Sequence, residues 1–362
     1  MADTPEDRSA RAASPAVTDE INALPTGTRF GELEILSTLG VGGFGIVYLA
    51  QDHALERQVA IKEYMPGQLA QRGDGSQVSV RSGSLLETFA IGRRSFVNEA
   101  RLLARFDHRS ILKVYQFWEA NGTAYMAMPY LQGETLRQAR QAMKDRPSEA
   151  WMLRVLLPVL DGLAMLHAES VFHRDIAPDN ILLPLDGSDA ILLDFGAARR
   201  AIGDRTQTFT AILKPSYAPI EQYAESTALR QGPWTDVYAL GAVIHYLVMG
   251  HTPPPSTART MVDEYRPLAA MGLPGLSEAF LAAVDWSLAV RPQERPQSVA
   301  EMRAALRGEL SPPAPKQAPS NFERTEIDLD RTMVLPANTR SYAPTQLQDL
   351  TIVGAPPPPP PP

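Results

Sequence analysis

Two hydrophobic periodicities divide this chain, and a fold that satisfies both must have two differently built halves. Between Leu33 and Ile61, apolar residues alternate with charged ones (Leu33, Ile35) or gather in short runs (Ile46-Val47-Tyr48-Leu49, Val59-Ala60-Ile61) separated by glycines and charged turns. Those patterns predict β-strands joined by hairpins. From Phe96 the spacing becomes helical, with Phe96, Ala100, Leu103 and Phe106 recurring on one face. Val114–Trp118 and Tyr125–Tyr130 predict two further strands. Beyond Glu134 helical patterns dominate, at Trp151–His167, Val237–Met249, Leu276–Leu288 and Val299–Leu306, broken by short strands around Ile181–Leu183 and Ile191–Leu193. The expected architecture is α+β: a small antiparallel β-sheet lobe over about 28–131, followed by a larger α-helical lobe over 132–309.

The two ends are a different kind of polymer. Of the 32 prolines, 13 fall between Ser311 and Pro362, and the last seven residues are all proline, which favours an extended polyproline II chain with no core to bury. Residues 310–362 are therefore expected to form a disordered proline-rich tail, and residues 1–27, rich in Asp, Ser, Ala, Pro and Thr, a disordered leader. Hydrophobic residues at 44% and charged residues at 21% put the body between them in the globular range. With no cysteine, disulfides, zinc-thiolate sites and cysteine nucleophiles are excluded. A net charge of -7 argues against nucleic acid or an anionic membrane surface as the main partner. The N-terminus lacks the basic-then-apolar pattern of a secretory signal, and the longest apolar stretch, Val237–Gly250, is interrupted by His245, so no membrane span and a cytoplasmic location are expected.

Four short segments carry chemistry. The run Gly40-Val41-Gly42-Gly43-Phe44-Gly45-Ile46-Val47 lets backbone N–H groups approach a polyphosphate closely. A strand rather than a helix follows it, so it is a hairpin tip and not a dinucleotide-binding turn; read alone, an ordinary glycine turn has the same composition. Lys62 ends the apolar strand Val59-Ala60-Ile61, and Glu99, on the helical pattern, can hold it toward phosphates; without an anionic partner such a lysine is a solvated edge residue. His173-Arg174-Asp175 is followed by Asn180. Phosphoryl transfer to a hydroxyl needs a carboxylate that orients the nucleophile and accepts its proton, and a nearby oxygen ligand for magnesium, roles that Asp175 and Asn180 fit. Asp194-Phe195-Gly196 then puts a carboxylate at the end of a buried strand, costly unless paired or metal-bound, and a magnesium ligand is the economical reading.

In this order and spacing, across roughly residues 30–308, these segments resemble the protein kinase superfamily, and most closely the bacterial eukaryotic-like serine/threonine kinases. The resemblance implies a bilobal protein-kinase fold, ATP and Mg2+ in its cleft, and protein substrates with Ser or Thr acceptors, its own chain included. By the same resemblance Gly40, Gly42, Gly43, Phe44, Gly45 and Val47 cover the nucleotide, Lys62 contacts its α and β phosphates, Asp175 is the proton acceptor, and Asn180 and Asp194 hold magnesium. Met128 resembles the gatekeeper, before a hinge in which Pro129 retains a carbonyl and Leu131 supplies an amide for adenine. Tyr217-Ala218-Pro219-Ile220-Glu221 resembles the end of the activation segment, with Glu221 expected to pair with Arg295, and Asp236 resembles the buried aspartate that anchors the catalytic loop. Arg174 resembles the residue that receives an activation-loop phosphate, with Thr206, Thr208 and Thr210 as candidate sites.

Two departures from the family pattern matter. The stretch between Lys62 and Glu99 is longer than most kinases use, and Gly73, Gly75 and Gly83 suggest an inserted loop. In addition, Ala177 occupies the position where the family places a lysine that contacts the transferring phosphate, which removes transition-state charge stabilisation. Lys214 stands where the family has a threonine near the catalytic aspartate, so a positional swap is expected. The alternative is a nucleotide-binding pseudokinase scaffold, against which stands the intact set of Lys62, Asp175, Asn180 and Asp194. In the tail, Glu326–Leu335 interrupts low-complexity sequence; Thr332 and Thr325 are expected autophosphorylation sites, and Leu335 resembles the specificity position that forkhead-associated domains read beside a phosphothreonine.

Overall fold

A computed structural model of the chain describes residues 22–73, 75–196, 214–223 and 230–313. The leader to residue 21, the tail from 314, and Thr206, Thr208, Thr210, Thr325 and Thr332 lie outside the described residues. In chain order the first lobe contains β1 (Arg29–Phe30), β2 (Leu33–Gly42), β3 (Gly45–Asp52), β4 (Arg57–Tyr64), β5 (Ala70–Arg72), β6 (Val78–Val80), α1 (Leu86–Leu103), β7 (Gln116–Ala120) and β8 (Thr123–Pro129). Six of these strands form an antiparallel sheet in the order β1-β2-β3-β4-β8-β7. Alternation decides what each face does. Ile46, Tyr48 and Ala50 of β3 join Val59 and Ile61 of β4 in one apolar cluster, while Ala60, Met126 and Met128 pack toward Phe96, Ala100 and Leu103 of α1. Lys62 follows Ala60 toward the α1 side, and Glu63 faces the other way.

The expected inserted loop is an antiparallel hairpin, β5 paired with β6, and it has a structural role that its glycines do not reveal. Arg72 Nη2 lies 2.6 Å from both carboxylate oxygens of Glu63, and the same carboxylate accepts from Tyr48 Oη (2.6 Å) and Tyr125 Oη (2.9 Å). Arg72 also donates through its amide and Nε to Asn22, and through Nη1 to the Ser76 carbonyl. Leu24 is buried and its N–H donates to Tyr48 Oη. The folded body therefore reaches back to Asn22, earlier than the composition boundary at 28, because two short polar and apolar contacts suffice to dock a segment too brief to show a period.

The second lobe contains β9 (Gly133–Thr135), α2 (Leu136–Ala142), α3 (Glu149–Ala168), β10 (Ile181–Pro184), β11 (Ile191–Leu192), α4 (Pro233–Met249), α5 (Ser256–Arg259), α6 (Glu278–Ser287) and α7 (Val299–Leu306). Side-chain caps start several of these: Thr135 and Gln138 form a capping box at α2, and Ser148, Ser277 and Ser298 accept amides at the starts of α3, α6 and α7. α4 is buried without interruption from Thr235 to Val248, which explains its near-continuous apolar sequence. Among the described residues α3 is long and apolar enough to cross a membrane by length and composition alone. Met152, Leu156, Val159, Leu160, Leu163 and Leu166 of α3 are fully buried in the lobe, and its Asp161 pairs with Arg303 of α7, so its apolar character is accounted for by the core.

Candidate active site

The glycine run is the tip of the β2–β3 hairpin, with Gly42 opposite Gly45. Gly45 is required by packing: a Cβ there would come within 2.5 Å of the Glu63 carbonyl oxygen on the neighbouring strand. At Gly40 and Gly43 a Cβ would meet nothing within 4 Å, so space is open at the tip. Lys62 is registered against Val47 on one side and Met126 on the other, which aims its ammonium under the hairpin.

The catalytic loop is held by Asp236 in the first turn of α4. Its carboxylate accepts the N–H groups of His173 (2.9 Å) and Arg174 (2.8 Å) and lies 2.8 Å from His167 Nε2. Burial opposes charge on Asp236, yet the hydrogen bond from His167 and its electrostatic interaction, with those of His173 and the Arg174 amide, hold its carboxyl below the usual range. Arg174 adopts φ +64°, a conformation that a non-glycine residue keeps only when its surroundings fix it. That turn presents Asp175, whose carboxylate and carbonyl both accept from Asn180 Nδ2, at 2.9 and 2.8 Å.

Asp194, at φ +42°, follows β11 and places Oδ1 at 2.6 Å from Lys62 Nζ. Burial works against both charges, but each sustains the other: Asp194 lies well below the usual carboxylate range because of Lys62, and Lys62 lies above the usual amine value because of Asp194, then Glu99 and Asp175. The backbone N–H of Phe195 donates to Glu99 Oε1 at 3.2 Å, and its ring lies 4.4 Å from that of His173. His173 Nε2 in turn is 2.9 Å from the Leu193 carbonyl. α1, the catalytic loop and the Asp194 turn are thereby locked together.

Two adjoining cavities occupy the cleft. One, of about 340 Å³, is bounded by Gly40, Gly42, Gly43, Phe44, Gly45 and Val47 above and by Lys62, Glu99, Asp175 and Asp194 below. The other, of about 280 Å³, is mainly apolar and runs from Met128 and Leu131 to Asn180 and Asp194. Ala60 and Leu182, which the motif reading did not single out, wall it on opposite sides; strand alternation around Lys62 and Asn180 was the available signal. A carboxylate and an amide oxygen, with Asn180 Nδ2 already committed to Asp175, form the hard-oxygen set that magnesium prefers, so Asp194 and Asn180 fit that ion.

Lys214 stands outside the catalytic loop, with Nζ 3.8 Å from Asp175 Oδ1, while Ala177 is fully buried. The turn it begins is fastened by Glu221, which pairs with Arg295 at 2.8 Å with both side chains fully buried, and accepts from Thr235 Oγ1. Gln222, also missed by the motif reading, donates from Nε2 to the Arg174 carbonyl at 2.7 Å. Neither Glu221 nor Asp236 lines either cavity.

The Protein kinase domain family matches residues 33–304. The chain belongs to the protein kinase family. Among curated relatives it is 30% identical to "Serine/threonine-protein kinase C" of Synechocystis sp. over 76% of this chain and 50% of that protein. It is 31% identical to "Serine/threonine-protein kinase PknL" of Mycobacterium tuberculosis over 75% of this chain and 64% of that protein. The chain thus spans between half and two thirds of the length of these relatives. Among solved structures, the apo form of PpkA-294 is 47% identical with a TM-score of 0.74, covering 79% of this chain and 99% of that one. The kinase domain of Mycobacterium tuberculosis PknI, at 23% identity and a TM-score of 0.59 over 80% of this chain and all of that one, shares the fold. This is a bilobal α+β kinase of the bacterial serine/threonine type, a family of phosphotransferases.

Proposed function

We propose that this kinase transfers the γ-phosphoryl group of ATP to serine and threonine hydroxyls of proteins, itself included. The observation that carries the reading is the convergence of Lys62, Asp175, Asn180 and Asp194 beneath an open glycine hairpin, beside an apolar cavity suited to adenine. Bound magnesium–ATP supplies the phosphoryl group and the metal that neutralises its phosphates, with Asp194 and Asn180 as the residues that would hold the metal. Lys62 fixes the α and β phosphates. Asp175, its carboxylate held by Asn180, orients the acceptor hydroxyl and takes its proton as the new O–P bond forms and the bond to the ADP oxygen breaks. Lys214 replaces the cation absent at Ala177, 3.8 Å from the Asp175 carboxylate.

Incubating purified protein with magnesium–ATP and mapping phosphosites by mass spectrometry tests this. Activity should fall by orders of magnitude in both Lys62→Met and Asp175→Asn; activity like that of the unaltered protein in both returns the scaffold alternative. For Lys214→Ala, kcat should fall by roughly 10² to 10³, the scale for one preformed charge-stabilising group, with the KM for ATP nearly unchanged. Lysine at position 177 should restore part of the loss in that background. We further propose that Thr332 and Thr325 are among the autophosphorylated sites, and that a forkhead-associated domain binds the Thr332 phosphate. A Thr332-phosphorylated peptide compared with its unmodified form across forkhead-associated domains tests the partner, and equal or absent binding overturns it.

A further inference from the structure

Moving the phosphate-contacting lysine from the catalytic loop to the activation segment creates a positioning problem. A lysine at 177 would be carried by the same rigid loop as Asp175, which is fixed through the His173 and Arg174 amides to Asp236 and through Asn180 to its own carbonyl. Lys214 instead belongs to a separate stretch of chain. Its distance from Asp175 depends on how residues 214–223 are held against the loop.

That stretch is a compact unit. The N–H groups of Tyr217 and Ala218 both donate to the Lys214 carbonyl, at 2.9 and 3.0 Å, and the Gln222 N–H donates to the Pro219 carbonyl at 3.0 Å. Its far side is tied to the helical lobe by Glu221 with Arg295 and by Ser256 Oγ donating to the Ala218 carbonyl at 2.7 Å. Its near side is tied to the catalytic loop by Gln222, which is 9% exposed and donates 2.7 Å to the carbonyl of Arg174, the residue immediately before Asp175. The peptide unit on either side of Arg174 is therefore clamped, its N–H by Asp236 and its carbonyl by Gln222, at the one residue of this loop with φ +64°.

We propose that Gln222 is a positioning residue for phosphoryl transfer: its hydrogen bond to Arg174 sets the register between the Lys214 turn and Asp175, and so aims the lysine at the transferring phosphate. The inference rests on the assignment of Lys214 as the replacing cation. It ascribes to the activation segment a second duty, since docking of the turn and delivery of the catalytic charge become one event. Gln222 itself touches no reacting atom.

A double-mutant cycle tests it. Gln222→Met keeps the side-chain length and burial but removes the donor, and should lower kcat about tenfold, the scale of losing one hydrogen bond to a buried acceptor, with the KM for ATP within about twofold. Gln222→Glu, which sets an acceptor against the same carbonyl, should do so at least as strongly. In the Lys214→Ala background, adding Gln222→Met should lower the residual kcat by less than about twofold, because the group being aimed is gone. Equal tenfold losses in both backgrounds would overturn the proposal and leave Gln222 a purely structural fastener, as would an unchanged kcat in Gln222→Met and Gln222→Glu. An unchanged kcat in Lys214→Ala alone would instead refute the lysine assignment itself, so the two failures are told apart.

Discussion

Arg72→Met would leave the Glu63 carboxylate buried without its counter-ion, and the size of the resulting loss follows from the geometry. Glu63 is completely buried and the Arg72 side chain is 3% exposed, with guanidinium and carboxylate 2.6 Å apart. Removing one member of such a pair costs about 3–5 kcal/mol, because the remaining charge keeps its desolvation penalty. Tyr48 and Tyr125 continue to donate to Glu63, and they place the loss at the lower end of that range. For a folded body of this size, each kcal/mol shifts Tm by roughly 2–4 °C, so a fall of roughly 6–12 °C is expected. Adding Glu63→Gln neutralises the stranded charge while the amide oxygen still accepts from the tyrosines, and should recover half or more of the fall. Calorimetric or fluorescence melting of the single and double variants is the assay. A Tm for Arg72→Met within a degree or two of the unaltered protein, or a double variant as unstable as the single, would refute the account of the hairpin as an ionic staple.

Removing residues 1–27 should lower Tm by several degrees more than removing 1–21, since it also deletes Asn22 and the buried Leu24; melting of the two truncations checks this. Gly45→Ala should cost about 1–3 kcal/mol of stability and raise the KM for ATP, because its Cβ meets the Glu63 carbonyl, whereas Gly43→Ala should leave Tm unchanged. Burial pushes the His245 imidazole down to about 4, with the charges of His251 and Arg259 acting the same way and a hydrogen bond to the His251 carbonyl opposing them. Its folded-state value lies below the unfolded one, so between about pH 6.5 and 4 the unfolded chain binds the extra proton and stability falls on acidification, by up to about 3 kcal/mol. Denaturant titrations across that window should show a shallower decline in His245→Gln than in the unaltered protein.

Sequence alone determined the two-lobed order of strands and helices, because alternation and helical spacing report directly which residues share a buried face. It also named Lys62, Asp175, Asn180 and Asp194, through the order of the segments rather than through any one of them, and the fold brings these four to the walls of the cleft cavities. Element ends were less legible: α1 begins at Leu86, ten residues before its apolar spacing becomes evident, and β7 runs Gln116–Ala120 rather than from Val114. Tertiary structure decided what long-range contacts alone can specify. Nothing local to Arg72, Glu63 and Asn22 announces that residues 50 positions apart share hydrogen bonds. Lys62 is similar, since its partner at 2.6 Å, Asp194, is chosen by how β4 and the turn after β11 meet across the cleft. The apolar sequence of α3 states only that it must be buried, and its packing in the second lobe supplies the medium. Gln222 reads as one more polar residue until folding carries it to the Arg174 carbonyl, because a side-chain hydrogen bond across 48 positions leaves no period or motif in the chain that makes it.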